Sequence, residues 1–194
     1  MTVRVALFCE DSAHESCARA LVERIARDLE VGLSIRTATA SSGVGRLKHE
    51  LRAFQSVVSR SPGTPDLLVV LIDANDVGPA ARRAEIKGVL DAAVFPEFVI
   101  GTPNPCVERW LLADPVSFAA TFGVQPQIGA IRARPAWKNR LVQALEAAGE
   151  IVVQGGAEFA EEIIEPMSLY RAGRSDSTIQ TFADDVRAAL RRLS

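Results

Sequence analysis

Cysteine is scarce in this chain, and none of its three copies forms a Cys-x-x-Cys pair. Cys9, Cys17 and Cys106 are an odd set, the usage of reduced thiols in a cytosolic protein and not of a disulfide framework. Cys9 falls inside an apolar strand pattern, where packing and not reactivity is the expectation. Apolar runs are short. None approaches the length of a membrane span, and the opening MTVRVALFCE is too brief and too soon charged for a signal peptide. Nor is there an excess of charge. The formal net charge is −2, so no field of the whole molecule draws it to nucleic acid or to an anionic membrane. A polyanion would have to be met by a local basic patch or through bound metal. Repeats and low-complexity segments are absent as well. A soluble cytoplasmic protein is the expectation.

What remains is ordinary globular composition, 48% hydrophobic and 24% charged over 194 residues, enough for one domain with a substantial core. Val3 to Cys9 is a short β-rich apolar run, and Ala13 to Leu29 follows with Leu21, Val22, Ile25 and Leu29 on one helical face. Leu33 to Thr39 alternates as a weaker strand. Arg46 to Val58 is an amphipathic helix closed by the breakers Ser61-Pro62-Gly63-Thr64-Pro65. Leu67 to Ile72, LLVVLI, is apolar at every position, as a central parallel strand covered on both faces should be. A helix over Pro79 to Leu90 and a short strand over Glu97 to Gly101 complete an alternation that implies a parallel sheet with right-handed crossovers.

The second half reads as helical. Val107, Trp110, Leu111 and Phe118 form an apolar series, broken where Asp114 caps a new helix with Pro115 at its first position. Gly123 ends that helix. Further helices are expected over Trp137 to Ala148 and over Glu158 to about Met167. The last carries Ile179, Phe182, Ala183, Val186, Leu190 and Leu193 at helical spacing. The expected fold is α/β, a mostly parallel central sheet flanked by helices, forming one domain over 1–194. A helical extension over about 124–194 packs on an α/β core over about 1–123.

Three acidic clusters follow strands: Glu10-Asp11, Asp73-Ala74-Asn75-Asp76, and Glu108 beyond the loop TPNPC. In open parallel sheets ligands bind beyond the carboxyl ends of the strands. Carboxylates gathered there without basic partners repel one another unless a divalent cation joins them, and magnesium is the natural candidate. Plainer roles compete. Ser12-x-x-Glu15 is a good capping box, and Asp73 and Asp76 are also usual turn residues. Asp114 is a helix cap first, and His14 and His49 read as solvated side chains. Trp110 belongs to the apolar face, and Glu108 points away from it, toward a site or solvent. Arg46, Lys48, Arg132, Arg134 and Lys138 read as surface charges. Arg46 and Lys48 follow the Gly43-Val44-Gly45 loop at the same sheet edge as the acids, where they can receive a phosphate.

At these residues the sequence resembles Toprim domains, the metal-binding module of topoisomerases, bacterial primases and OLD-family nucleases. The shared pattern is a Glu after the first strand and a DxD-like pair after a later one. The wider layout is similar to stand-alone bacterial Toprim-like proteins, related to OLD/RloB-type proteins, often encoded beside ABC-type ATPases and suspected in phage defence. FCEDSAHE stands where that family has an EG-x-S/T-D/E-x-E-like opening, and LIDANDVG where it has an hDxDD-like turn. PNPCVERWLLADP resembles its P-x-x-E-x-W-L-L-A-D segment. The likeness runs from Arg4 to the last helix. Asp11 replaces the usual glycine, and Asn75 replaces the second acid of the DxD. The resemblance implies a Toprim-like fold and Mg²⁺-dependent (or Mn²⁺-dependent) cleavage of nucleic-acid phosphodiester bonds. Glu10 would be general base or metal ligand, Asp73 and Asp76 would hold the metal with Asn75 offering a neutral oxygen, and Glu108 would be a further ligand or orienter. Arg46, Lys48 and Lys138 would contact phosphate or nucleic acid. It also implies an ABC/OLD-type ATPase partner that delivers the nucleic acid. The Asn75 substitution motivates a second reading, a non-catalytic regulatory subunit of such an ATPase. A third, a receiver-like phosphoacceptor, fits less well, because a Lys at the end of a fifth strand is missing.

Overall fold

A run of five apolar residues, all buried, sets the architecture: β3 (Leu67–Leu71) can only be so covered if layers pack on both of its faces. The computed structural model describes residues 2–39, 44–61, 63–129, 131 and 133–194. Beside β3 lie β1 (Thr2–Cys9), β2 (Gly32–Thr39) and β4 (Phe98–Gly101), in the order β2-β1-β3-β4 and all parallel. The expected α/β fold with its parallel sheet is thus present.

Alternation along β3 divides the interior. Leu67, Val69 and Leu71 join one apolar cluster with α1 (Ser12–Asp28), and Leu68, Val70 and Ile72 join another with α2 (Val44–Val58) and α3 (Pro79–Lys87). Each such side chain, fully buried, contributes roughly 2 kcal/mol relative to exposure. The first cluster is the larger because the helices of the second half complete it. They are α4 (Val107–Leu111), α5 (Pro115–Phe122), α6 (Arg134–Ala147), α7 (Ala160–Ile164), α8 (Leu169–Ser175) and α9 (Ser177–Leu193). Leu141 and Leu145 of α6, Ile163 of α7 and Phe182, Val186 and Leu190 of α9 all lie in the same cluster as β1 and β3. Trp110 is fully buried there, its Nε1 donating to Thr178 Oγ1 at 2.8 Å and its ring 5.3 Å from that of Phe182. A Cβ on Gly101 would overlap Leu71 and lie 2.7 Å from Phe182 Cδ2, so α9 seats closely on β4 because glycine stands there.

Three local features differ from the pattern reading. The N-cap of α1 is Asp11, not Ser12: its backbone is extended and its carboxylate accepts from His14 N–H, so the expected Ser12-x-x-Glu15 box is replaced by a cap one residue earlier. The helix expected over Glu158 to Met167 is only α7, preceded by a 3-10 turn at Ala157–Phe159. Glu165 keeps a helical backbone, and the helix stops because Pro166 has no N–H with which to continue the ladder. Ser168 then caps α8, a short helix absent from the pattern reading. The three cysteines are buried free thiols. No helix among the described residues is long and apolar enough to cross a membrane.

Asp114 caps α5 as expected and also ties it to α8. Its Oδ1 accepts from Ser117 N–H and Arg171 Nε, its Oδ2 from Ser168 N–H and Arg171 Nη2. Burial raises this carboxyl, but the hydrogen bonds from Arg171, Ser117 and Ser168 outweigh it and hold the group down at about 2. A carboxyl depressed in the fold stabilises above its unfolded value near ~3.9, and that contribution is lost as pH falls through the folded value. Asp114→Asn should therefore lower the denaturant midpoint at neutral pH, by about 1–2 kcal/mol for charge-assisted bonds at a partly exposed arginine. The same variant should show a flatter loss of stability between pH ~4 and ~2. An unaltered acid limb would mean that the clamp contributes nothing.

Candidate metal centre

Parallel pairing brings two strand ends to one place. Cys9 stands opposite Leu71 in the β1–β3 register, and Glu10 N–H donates to Leu71 O at 3.2 Å. Glu10 and Asp73 therefore leave adjacent strands on the same edge, both buried, at 7% and 0% exposure. Asp73 N–H donates to Glu10 Oε2 at 3.3 Å. Helix α1 starts at once, so its first turn sits over this edge. His14 is 1% exposed there, Nδ1 2.6 Å from Asp11 Oδ1 and Nε2 2.8 Å from Asp73 Oδ1. Nε2 is also 3.8 Å from Glu10 Oε2. One ligand atom each from Glu10, His14 and Asp73 lies within 4.8 Å of the other two, and the three are placed to hold a metal ion.

The sequence reading left these carboxylates without basic partners, and here the structure corrects it. Asp73 Oδ1 also accepts from Val107 N–H at 2.9 Å, and Arg134 Nη2 stands 2.9 Å from Oδ2. That last approach is an ion pair without hydrogen-bond alignment, since Oδ2 makes no hydrogen bond. Lys138 Nζ is 3.3 Å from Glu108 Oε1. Burial alone would lower the His14 imidazole, but hydrogen bonds to Asp11 and Asp73, with their charges, push it up to about 10. The same contacts hold Asp11 well below the usual carboxylate range against the opposing effect of its own burial. Burial, and then the charge of Glu108, push the Cys106 thiol up, away from the reactive thiolate.

Of the residues singled out from sequence, Glu10 and Asp73 come together and Glu108 lies nearby, 4% exposed and paired with Lys138. Asp76 is exposed on a 3-10 turn, Asn75–Val77, and is not one of the three grouped ligands. Asn75 is in the left-handed region at φ +48°, its N–H donating to Pro105 O. Asparagine tolerates that conformation better than most residues, which gives position 75 a backbone reason for its amide. Arg46 is exposed, and Lys48 meets Glu85 of α3 at 3.8 Å. Gly43 and Arg132 lie outside the described residues.

Sequence reasoning missed His14, Asp11 as its partner, and Arg134. The one available signal was the Glu10-x-x-x-His14 spacing across a strand-to-helix junction. No known protein family, characterised protein or solved structure matches this chain, so fold and site geometry carry the functional reading by themselves.

Proposed function

We propose that this protein is a Toprim-like, divalent-metal-dependent enzyme that cleaves nucleic-acid phosphodiester bonds, with Glu10, His14 and Asp73 as its metal-binding residues. The observation that carries this reading is the convergence of those three buried side chains beyond the carboxyl ends of two adjacent central strands. The donor set fits a divalent ion. Two carboxylate oxygens and an imidazole suit Mn²⁺ better than Mg²⁺, which prefers oxygen ligands alone. Asp11 fixes the ring: with the proton kept on Nδ1 and donated to Asp11, the Nε2 lone pair faces Glu10 and Asp73. Val107 N–H and Asp73 N–H hold the two carboxylates in register. A bound divalent ion would supply charge stabilisation for the phosphate in its transition state. By resemblance, an ATPase partner would deliver the nucleic acid, in phage defence.

A second reading has its own support. Protonated His14, Arg134 and Lys138 offer three positive charges to Glu10, Asp11, Asp73 and Glu108, which nearly balances the cluster without metal. A non-catalytic subunit would need no more. Thermal melting with and without Mn²⁺, together with plasmid nicking and RNA cleavage with and without a co-expressed ATPase, decides between them. The enzyme reading requires a Mn²⁺-dependent rise in Tm through ligand linkage and Mn²⁺-dependent cleavage. Absence of both leaves the ion-paired subunit.

A further inference from the structure

Helix α6 opens with Arg134 and carries Lys138 one turn later, on the same helical face. Both reach the acidic edge of the sheet, Arg134 to Asp73 and Lys138 to Glu108. The partners are unlike in burial. The two carboxylates are almost wholly enclosed, whereas the Arg134 and Lys138 side chains are 35% and 45% exposed. The pairing is also incomplete. Asp73 Oδ2, Glu108 Oε2 and Arg134 Nε are all buried, and none makes a hydrogen bond. Enclosed acceptors with unfilled capacity, faced by long side chains that reach water, are poorly matched as a finished salt bridge.

We infer that Arg134 and Lys138 are exchangeable counter-ions, which hold the acidic cluster while it lacks a divalent ion and are released when one binds, to receive the oxyanion of a phosphate-bearing substrate. This rests on the metal-centre reading above. A divalent ion bound by Asp73 repels a guanidinium 2.9 Å from the same carboxylate and competes with it for Oδ2. Release leaves two cations one helical turn apart at the mouth of the site. The guanidinium offers a planar fork to two phosphate oxygens, and the ammonium adds a point charge. No bond is made or broken in the exchange.

Mn²⁺ alone probes the first half and inorganic phosphate the second, each titrated calorimetrically into the full chain at neutral pH. Arg134→Gln should tighten Mn²⁺ roughly tenfold, the scale of removing one unit charge a few ångströms from the ion after screening. Lys138→Gln should act in the same direction and less. Inorganic phosphate should bind the Mn²⁺-loaded wild type and lose about tenfold in either variant, as one charge-assisted contact is worth. If Arg134→Gln fails to fold, Lys138→Gln, at the more exposed of the two side chains, carries the test. Mn²⁺ binding by the wild type with unchanged or weaker affinity in the variants overturns the counter-ion role and leaves the metal centre standing. No Mn²⁺ binding by the wild type or by either variant overturns the metal centre, and this inference with it.

Discussion

Asp73→Asn should abolish Mn²⁺ binding, lower Mn²⁺-dependent phosphodiester cleavage by about a hundredfold or more, and cost the metal-free fold about 3 kcal/mol. The stability term has a definite sign because of what surrounds the carboxylate. Its nearest charges are His14 at 2.8 Å and Arg134 at 2.9 Å, both cations, with Val107 N–H donating to it as well. Glu10, the acid on the neighbouring strand, accepts from the Asp73 backbone and does not face an unpaired charge. Neutralising Asp73 therefore leaves a buried imidazolium short of a counter-ion, and relief of carboxylate repulsion does not compensate. Chemical denaturation in chelator measures the first quantity, calorimetric Mn²⁺ titration the second. A variant as stable as the wild type would mean that the cluster is held together by something other than these charges.

Raising the pH should destabilise the metal-free protein through His14. The unfolded imidazole titrates near ~6.5, while in the fold Asp11 and Asp73 push it up to about 10 in spite of its burial. A group whose folded value lies above its unfolded value stabilises fully below the unfolded value, and that contribution disappears as pH climbs through the folded one. The window is therefore pH ~6.5 to ~10, and the loss amounts to several kcal/mol for one fully buried histidine. The geometry favours the protonated state: a neutral ring donating from Nδ1 to Asp11 would turn the Nε2 lone pair on an Asp73 oxygen 2.8 Å away. Denaturant midpoints in chelator across that window should slope downward in the wild type and lie nearly flat in His14→Gln. Saturating Mn²⁺ should flatten the wild-type slope too, because a metal on Nε2 takes the place of the proton. Equal slopes in both proteins would show that His14 is neutral throughout.

Much of the fold was legible because its signals are local. LLVVLI could only be a strand covered on both sides, the periodicity of α9 was unbroken, and Asp114-Pro115 marked a helix start. The same logic located Glu10 and Asp73, since a charge ending an apolar strand of a parallel sheet must lie at the ligand-binding edge. What stayed hidden depends on distance in sequence. His14 looks like a solvated residue in the first turn of a helix until β3 brings Asp73 against it. Arg134 looks like any surface arginine until α6 returns to the sheet. Ser12 and Asp11 are both good caps, and the choice between them is made by the imidazole that Asp11 also holds. Position 75 reads as a weakened acid until its left-handed backbone is seen.

The seat of α9 on β4 has a consequence for how the molecule is made. Glu10, Asp73, Glu108 and Arg134 all precede the helix whose Phe182 packs on Trp110 and beside Gly101. During synthesis every charged member of the cluster is thus out before the apolar wall behind it exists. A nascent chain at that stage shows an open face of Val99, Trp110 and α1 residues such as Leu21 and Ile25, which are later sealed within one cluster. Such a face is what chaperones hold and what aggregates form from. The carboxylates themselves are met by earlier elements, His14 of α1, Val107 of α4 and Arg134 of α6, so all their partners have been made before α9 seals the apolar face beside them.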